Sequence, residues 1–124
     1  MAIYDVSFDE YIFPPTIGNE LEKSLASIFY TGLFQINPFT LEVENALCTT
    51  WDVDNTGLVY VFTIDTTAQF HKNDCFGRAK TRHVTAYDVK YSFHLLADPR
   101  YSTINFTNTV YHIKGAKDYF ALPK

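Results

Sequence analysis

The chain has 124 residues, a length that fits one domain and lets about two-thirds of the unfolded surface be buried. With 47% hydrophobic residues, including 11 Phe and 9 Tyr, it has enough apolar side chain for an aromatic core. A net charge of −4 argues against a nucleic-acid partner and against a polybasic membrane anchor, and no apolar run approaches the ~20 residues of a membrane span.

Residues 1–18 are aromatic and rich in turn formers. Pro14-Pro15 and Gly18 act as breakers, and Ile3, Val6 and Phe8 read as a short strand or an extended arm. From Asn19 the pattern turns helical. Leu21, Leu25 and Ile28 form a stripe, Glu22 sits near the start, and Gly32 reads as the C-terminal stop. Asn37-Pro38 breaks the chain again. From Leu47, alternation places Leu47, Thr49, Trp51 and Val53 on one side of a strand. Asp54-Asn55-Thr56-Gly57 is a strong turn signal. Beyond it Leu58, Tyr60, Phe62 and Ile64 share a face, so the two runs predict an antiparallel hairpin.

Phe70-His71 leads into a polar loop, which ends at a helix start with a physical cause. Thr85 is placed to accept the free N–H of Asp88, and the Asp88 side chain to reach back to the N–H of Thr85, as in a capping box. Behind that cap Ala86, Val89, Phe93 and Leu96 recur on one helical face, and Asp98-Pro99 ends the helix. Ser102–Asn108 is polar and reads as loop. Gly115 to Ala121 reads as a short last helix with Pro123 near its end. This order predicts an α+β domain over residues 1–124, in which a small antiparallel sheet with a hairpin is packed by about three helices.

The residues able to carry chemistry have simpler explanations. His71 as a base would need a nucleophile and an orienting carboxylate, and no Gly-x-Ser-x-Gly occurs, so it reads as a histidine fixed at a strand end. His71, Asp74, Cys75 and His83 are of metal-ligand type. Their spacing contains no Cys-x-x-Cys or His-Glu-x-x-His, so neither metal nor other cofactor is expected. An alternative reading is a small metal-dependent or hydrolytic enzyme using His71, His83 and Cys75. Lys72, Asp74, Arg78, Lys80 and Arg82 form a mostly basic loop that either holds an anion or is simply solvated. Cys48 and Cys75 are too few for a disulfide framework and read as free thiols. Asn105-Phe106-Thr107 fits a glycosylation pattern that arises often by chance.

The stretch from Tyr60 to Phe93 resembles the signature of the family 5 extracellular solute-binding proteins, the peptide- and nickel-binding subunits of ABC importers. Tyr60, Phe62 and Ile64 match its aromatic strand, and Phe70-His71 its next pair. Thr85-Ala86, Asp88-Val89 and Tyr91-Ser92-Phe93 match its Thr-Ala-x-Asp-Val-x-Tyr-Ser-Phe helix start. Lys72-Asn73 departs from the usual Asp-Gly, and the loop before Thr85 is longer than usual. Upstream, Ile28 to Leu33 is similar to the family's Tyr-Glu-Gly-Leu segment, and Asn45-Ala46-Leu47 through Trp51-Asp52-Val53 to its Pro-Ala-Leu-Ala-x-x-Trp-x-Val. Downstream, Ile113-Lys114-Gly115-Ala116-Lys117-Asp118-Tyr119 looks like its Ile-Lys-Gly-Ala-x-x-Tyr element.

The resemblance implies a binding module rather than an enzyme, with the accessory lobe of a periplasmic-binding-protein type II fold. It implies oligopeptide or dipeptide ligands, ABC permease subunits as partners, and a periplasmic or extracellular location with a lipid anchor in some members. Its members are exported and much longer, whereas Met1-Ala2-Ile3-Tyr4 lacks the features of a signal peptide. The chain is therefore expected to be an excised part of a larger protein. The matched positions are structural in the family, so the resemblance carries over no ligand contact and no catalytic residue.

Overall fold

The computed structural model of the protein describes residues 20–101 and 110–122. The arm expected before residue 19, the loop at Ser102–Asn108 with its Asn105 pattern, and Pro123 lie outside the described residues. The chain divides into two compact units, one spanning Tyr30–Phe93 and the other holding the described residues before and after it.

In the second of these units, the helix α1 (Glu20–Phe29) is the one expected from Asn19. Its stripe is not a buried face, however. Ala26 is buried and Leu25 half-buried, but Leu21 and Ile28 are exposed. Gly32 does not stop α1 by adopting a left-handed conformation. It matters for a different reason: a Cβ added there would lie 2.9 Å from the carbonyl oxygen of Phe34. The small core of the same unit forms around Ala97, Val110 and Ala116, with Leu96, Tyr119 and Phe120 packed against them. The last helix α3 (Ala116–Ala121) begins as expected after Gly115, whose φ of 84° suits a residue without a side chain. Asp98 is buried there and is gripped by Arg100, with Nη2 to Oδ2 at 2.7 Å and Nε to Oδ1 at 3.1 Å.

The unit Tyr30–Phe93 is built on two antiparallel hairpins, where the sequence predicts one small sheet. The first pairs β1 (Phe34–Ile36) with β2 (Val43–Asn45) and is not anticipated by the sequence pattern. Its cause is Asn37. The Asn37 side-chain oxygen accepts the N–H groups of Phe39 (2.8 Å) and Thr40 (3.1 Å), and this Asx turn reverses the chain at Pro38. The second hairpin pairs β3 (Cys48–Val53) with β4 (Tyr60–Ile64) and was expected. Asp54 organises its turn. Its carboxylate accepts Thr56 Oγ1–H and the N–H groups of Leu58 and Val59, and these bonds lower its pKa. Gly57 supplies the φ of 70° that the turn requires.

The faces of β3 differ from the expectation in one respect. Trp51 opposes Phe62 and Val53 opposes Tyr60, as alternation predicts, but the ladder slips between Cys48 and Thr50. That bulge makes Thr49 the extra residue and puts Cys48, opposite Ile64, on the Trp51 face in place of Leu47 and Thr49. Cys48 is fully buried there, a free thiol whose Sγ–H points at the carbonyl of Thr50.

The helix α2 (Ala86–Leu96) follows the polar loop as predicted. Its expected apolar face is only partly covered. Val89 and Leu96 are half-buried, while Ala86 and Phe93 are exposed, so the Val89–Phe93 burial inferred from spacing is incomplete. No described helix is long and apolar enough to cross a membrane.

Candidate functional site

Two assemblies in the unit Tyr30–Phe93 collect the residues that the sequence pattern singles out. The first is built on the polar loop. Its two arms run antiparallel, tied by backbone bonds from Val84 to Ala68 (2.9 Å), Phe70 to Arg82 (3.0 Å) and Asn73 to Lys80 (2.7 Å). Gln69 and His83 form a single antiparallel bridge between them. The tip is a 3-10 helix (Asp74–Ala79), where the sequence predicts unstructured loop. Asn73 caps it by accepting the N–H of Cys75 at 2.9 Å, and Lys80 leaves it in a left-handed conformation while pairing with Asp74.

Arg82 holds this loop to α2. Its guanidinium lies over the Phe70 ring, 4.6 Å from the centroid, and 5.7 Å from that of Phe76. The same group grips Asp88 in a two-pronged pair, Nη2 to Oδ1 at 2.6 Å and Nη1 to Oδ2 at 2.9 Å, and Nη1 also donates to the carbonyl of His83. Planar forks of this kind suit a carboxylate far better than the point charge of a lysine. Asp88 Oδ2 further accepts the N–H and the hydroxyl of Thr85, each at 2.8 Å. The Arg82 bonds, helped by those from Thr85, hold the Asp88 carboxyl far below the usual carboxylate range against the opposing effect of burial. Arg82 is correspondingly raised by Asp88.

The capping box is therefore half of what the sequence predicts. The return bond from Asp88 to the N–H of Thr85 is present. In the forward direction, the N–H of Asp88 goes to the Thr85 carbonyl at 3.0 Å, and the Thr85 hydroxyl turns to donate to the carboxylate. A doubly anchored Asp88 offers that hydroxyl a better, charged acceptor than a neutral amide offers it as a donor.

The structure joins Phe70, Thr85 and Asp88 through Arg82, a residue the sequence pattern reads only as loop charge. The signal was present: Arg82 stands three residues before the cap, within reach of its carboxylate. Two of the loop's cations are thereby neutralised, Lys80 by Asp74 and Arg82 by Asp88. His71 is not part of the cluster. Gln69 Nε2 and His83 Nε2 lie 3.4 Å apart, and Cys75 is an exposed free thiol at the loop tip. Among the described residues no group of three His, Cys, Asp or Glu converges on a point where a metal ion could sit. Of the other motif residues, Ser92 donates to the Asp88 carbonyl at 3.0 Å, and Tyr91 is exposed.

The second assembly is the aromatic face of the β3–β4 hairpin. Tyr60 stacks on Trp51 at 6.4 Å and on Phe62 at 6.3 Å, between ring centroids. Phe34 from β1 meets Trp51 at 6.2 Å and Phe62 at 5.8 Å, both edge to face. Trp51 and Tyr60 remain about half exposed, at 50% and 53%. Sequence reasoning missed Phe34 because a three-residue strand carries too little alternation to be read.

No protein-family model matches the chain, and no solved structure matches it. Curated relatives do. Over 98 residues, 77% of the chain, it is 30% identical to the probable ABC transporter periplasmic-binding protein SapA of Escherichia coli. The chain belongs to the family 5 extracellular solute-binding proteins. It is also 36% identical over 72 residues, 58% of its length, to the di/tripeptide-binding protein 2 of Pseudomonas aeruginosa. A third relative is the heme-binding protein A of Haemophilus influenzae, 30% identical over 95 residues, 77% of the chain. The chain spans 13%, 18% and 16% of the lengths of the Pseudomonas, Escherichia and Haemophilus proteins. These relatives are named as binding proteins, and one of them as periplasmic. In this solute-binding-protein chain the family's motif residues fall on the Arg82 cluster, the β4 face and the first turns of α2.

Proposed function

We propose that this chain works as part of a larger substrate-binding protein of an ABC importer, contributing one wall of a cleft that takes dipeptides or oligopeptides. The observation that carries this reading is the likeness to relatives named as peptide- and periplasmic-binding proteins, which in one case runs over 77% of the chain. The geometry suits a wall rather than an active centre. Among the described residues no hydrogen bond links His71, His83 and Cys75 as a nucleophile–base pair. The Arg82 cluster is internally neutralised and reads as stiffening for the motif segment. The aromatic face of the β3–β4 hairpin offers stacking surface. On this reading the segment belongs to an accessory lobe, acts in the periplasm or outside the cell with or without a lipid anchor, and has permease subunits as partners in the complete protein. Closure of such a protein draws on affinity for the closed state, which needs an opposing lobe.

Isothermal titration of the 124-residue chain with di- to pentapeptides tests the reading. Binding is expected only at about 1 mM or weaker, near −4 kcal/mol, because one wall neither orients a ligand fully nor excludes water. Micromolar peptide binding would mean a complete site within these residues and would end the one-wall reading. Micromolar binding of heme without peptide binding would transfer the ligand class to that of the Haemophilus relative.

A further inference from the structure

We draw no further inference here: the strongest candidate, the open aromatic patch on the β3–β4 hairpin where Phe34, Trp51, Tyr60 and Phe62 meet, carries nothing because nothing in the structure shows what covers it.

Discussion

At the scale of single residues, Asp88 does more than its sequence position announces. It closes the N-terminus of α2, accepts the Thr85 hydroxyl and neutralises Arg82. Thr85→Ala removes only the hydroxyl bond, so its expected cost is about 0.5–1 kcal/mol in urea denaturation. Asp88→Asn should cost more, because both prongs of Arg82 and the cap lose a charged acceptor. The pH dependence has a definite sign. A carboxyl whose folded pKa is depressed contributes stability that is complete above its unfolded value, about 3.9, and drains away as pH falls below it. Urea midpoints measured from pH 6 down to pH 3 should therefore fall for the parent and fall less steeply for Asp88→Asn. Equal slopes would mean that Asp88 titrates normally. Gly32 gives a second test, of sterics. Its added Cβ would meet backbone rather than a movable side chain, so Gly32→Ala should destabilise by about 1–3 kcal/mol in the same assay, and an unchanged midpoint would refute the close approach.

Among the elements, α1, the β3–β4 hairpin, α2 and α3 were legible because each carries a periodic run bounded by a turn or cap signal. The β1–β2 hairpin was not, since strands of three residues leave periodicity nothing to count, and its only signal was Asn37 before Pro38. The long loop illustrates a different limit. Its charges read as solvated because local patterns do not reveal that Arg82 meets Asp88 and lies against Phe70. The family motif marked Phe70, Thr85 and Asp88 while leaving out the arginine that connects them. A consequence can be measured by limited trypsin digestion. Lys72 and Arg78 lie in a loop clamped at its neck, so the parent should be cut there slowly and Arg82→Ala several-fold faster. Cleavage at equal rates would show that the backbone bonds alone hold the loop.

For the whole molecule, burial is the property sequence reasoning judged least well. The stripes of α1 and α2 have the spacing of buried faces, yet Leu21, Ile28 and Phe93 are exposed, as are Trp51 and Tyr60. Periodicity reports which residues share a face; it does not report whether anything covers that face. In a chain that spans less than a fifth of each matched relative, such open apolar faces are where further polypeptide, a ligand or a second copy would find surface to bury.

The bulge at Thr49 also bears on how this gene can change length. A strand normally resists losing a codon, because every side chain upstream would swing to the other face. Here the extra residue is already out of step, and its removal would bring Cys48 and Thr50 into a regular ladder with Ile64 and Thr63, faces unchanged. A Thr49 deletion forfeits the bond from Asn45 Nδ2 to the Thr49 carbonyl and the cross-strand bond from the Thr49 hydroxyl to the Thr63 carbonyl at 3.2 Å, while the backbone ladder is kept. Thermal melting should place that deletion, which is the same chain as a Thr50 deletion, close to the parent, while deleting Asp52 should be severely destabilising. Length variation among natural versions of this hairpin is accordingly expected at the Thr49-Thr50 pair before any other position in the strand.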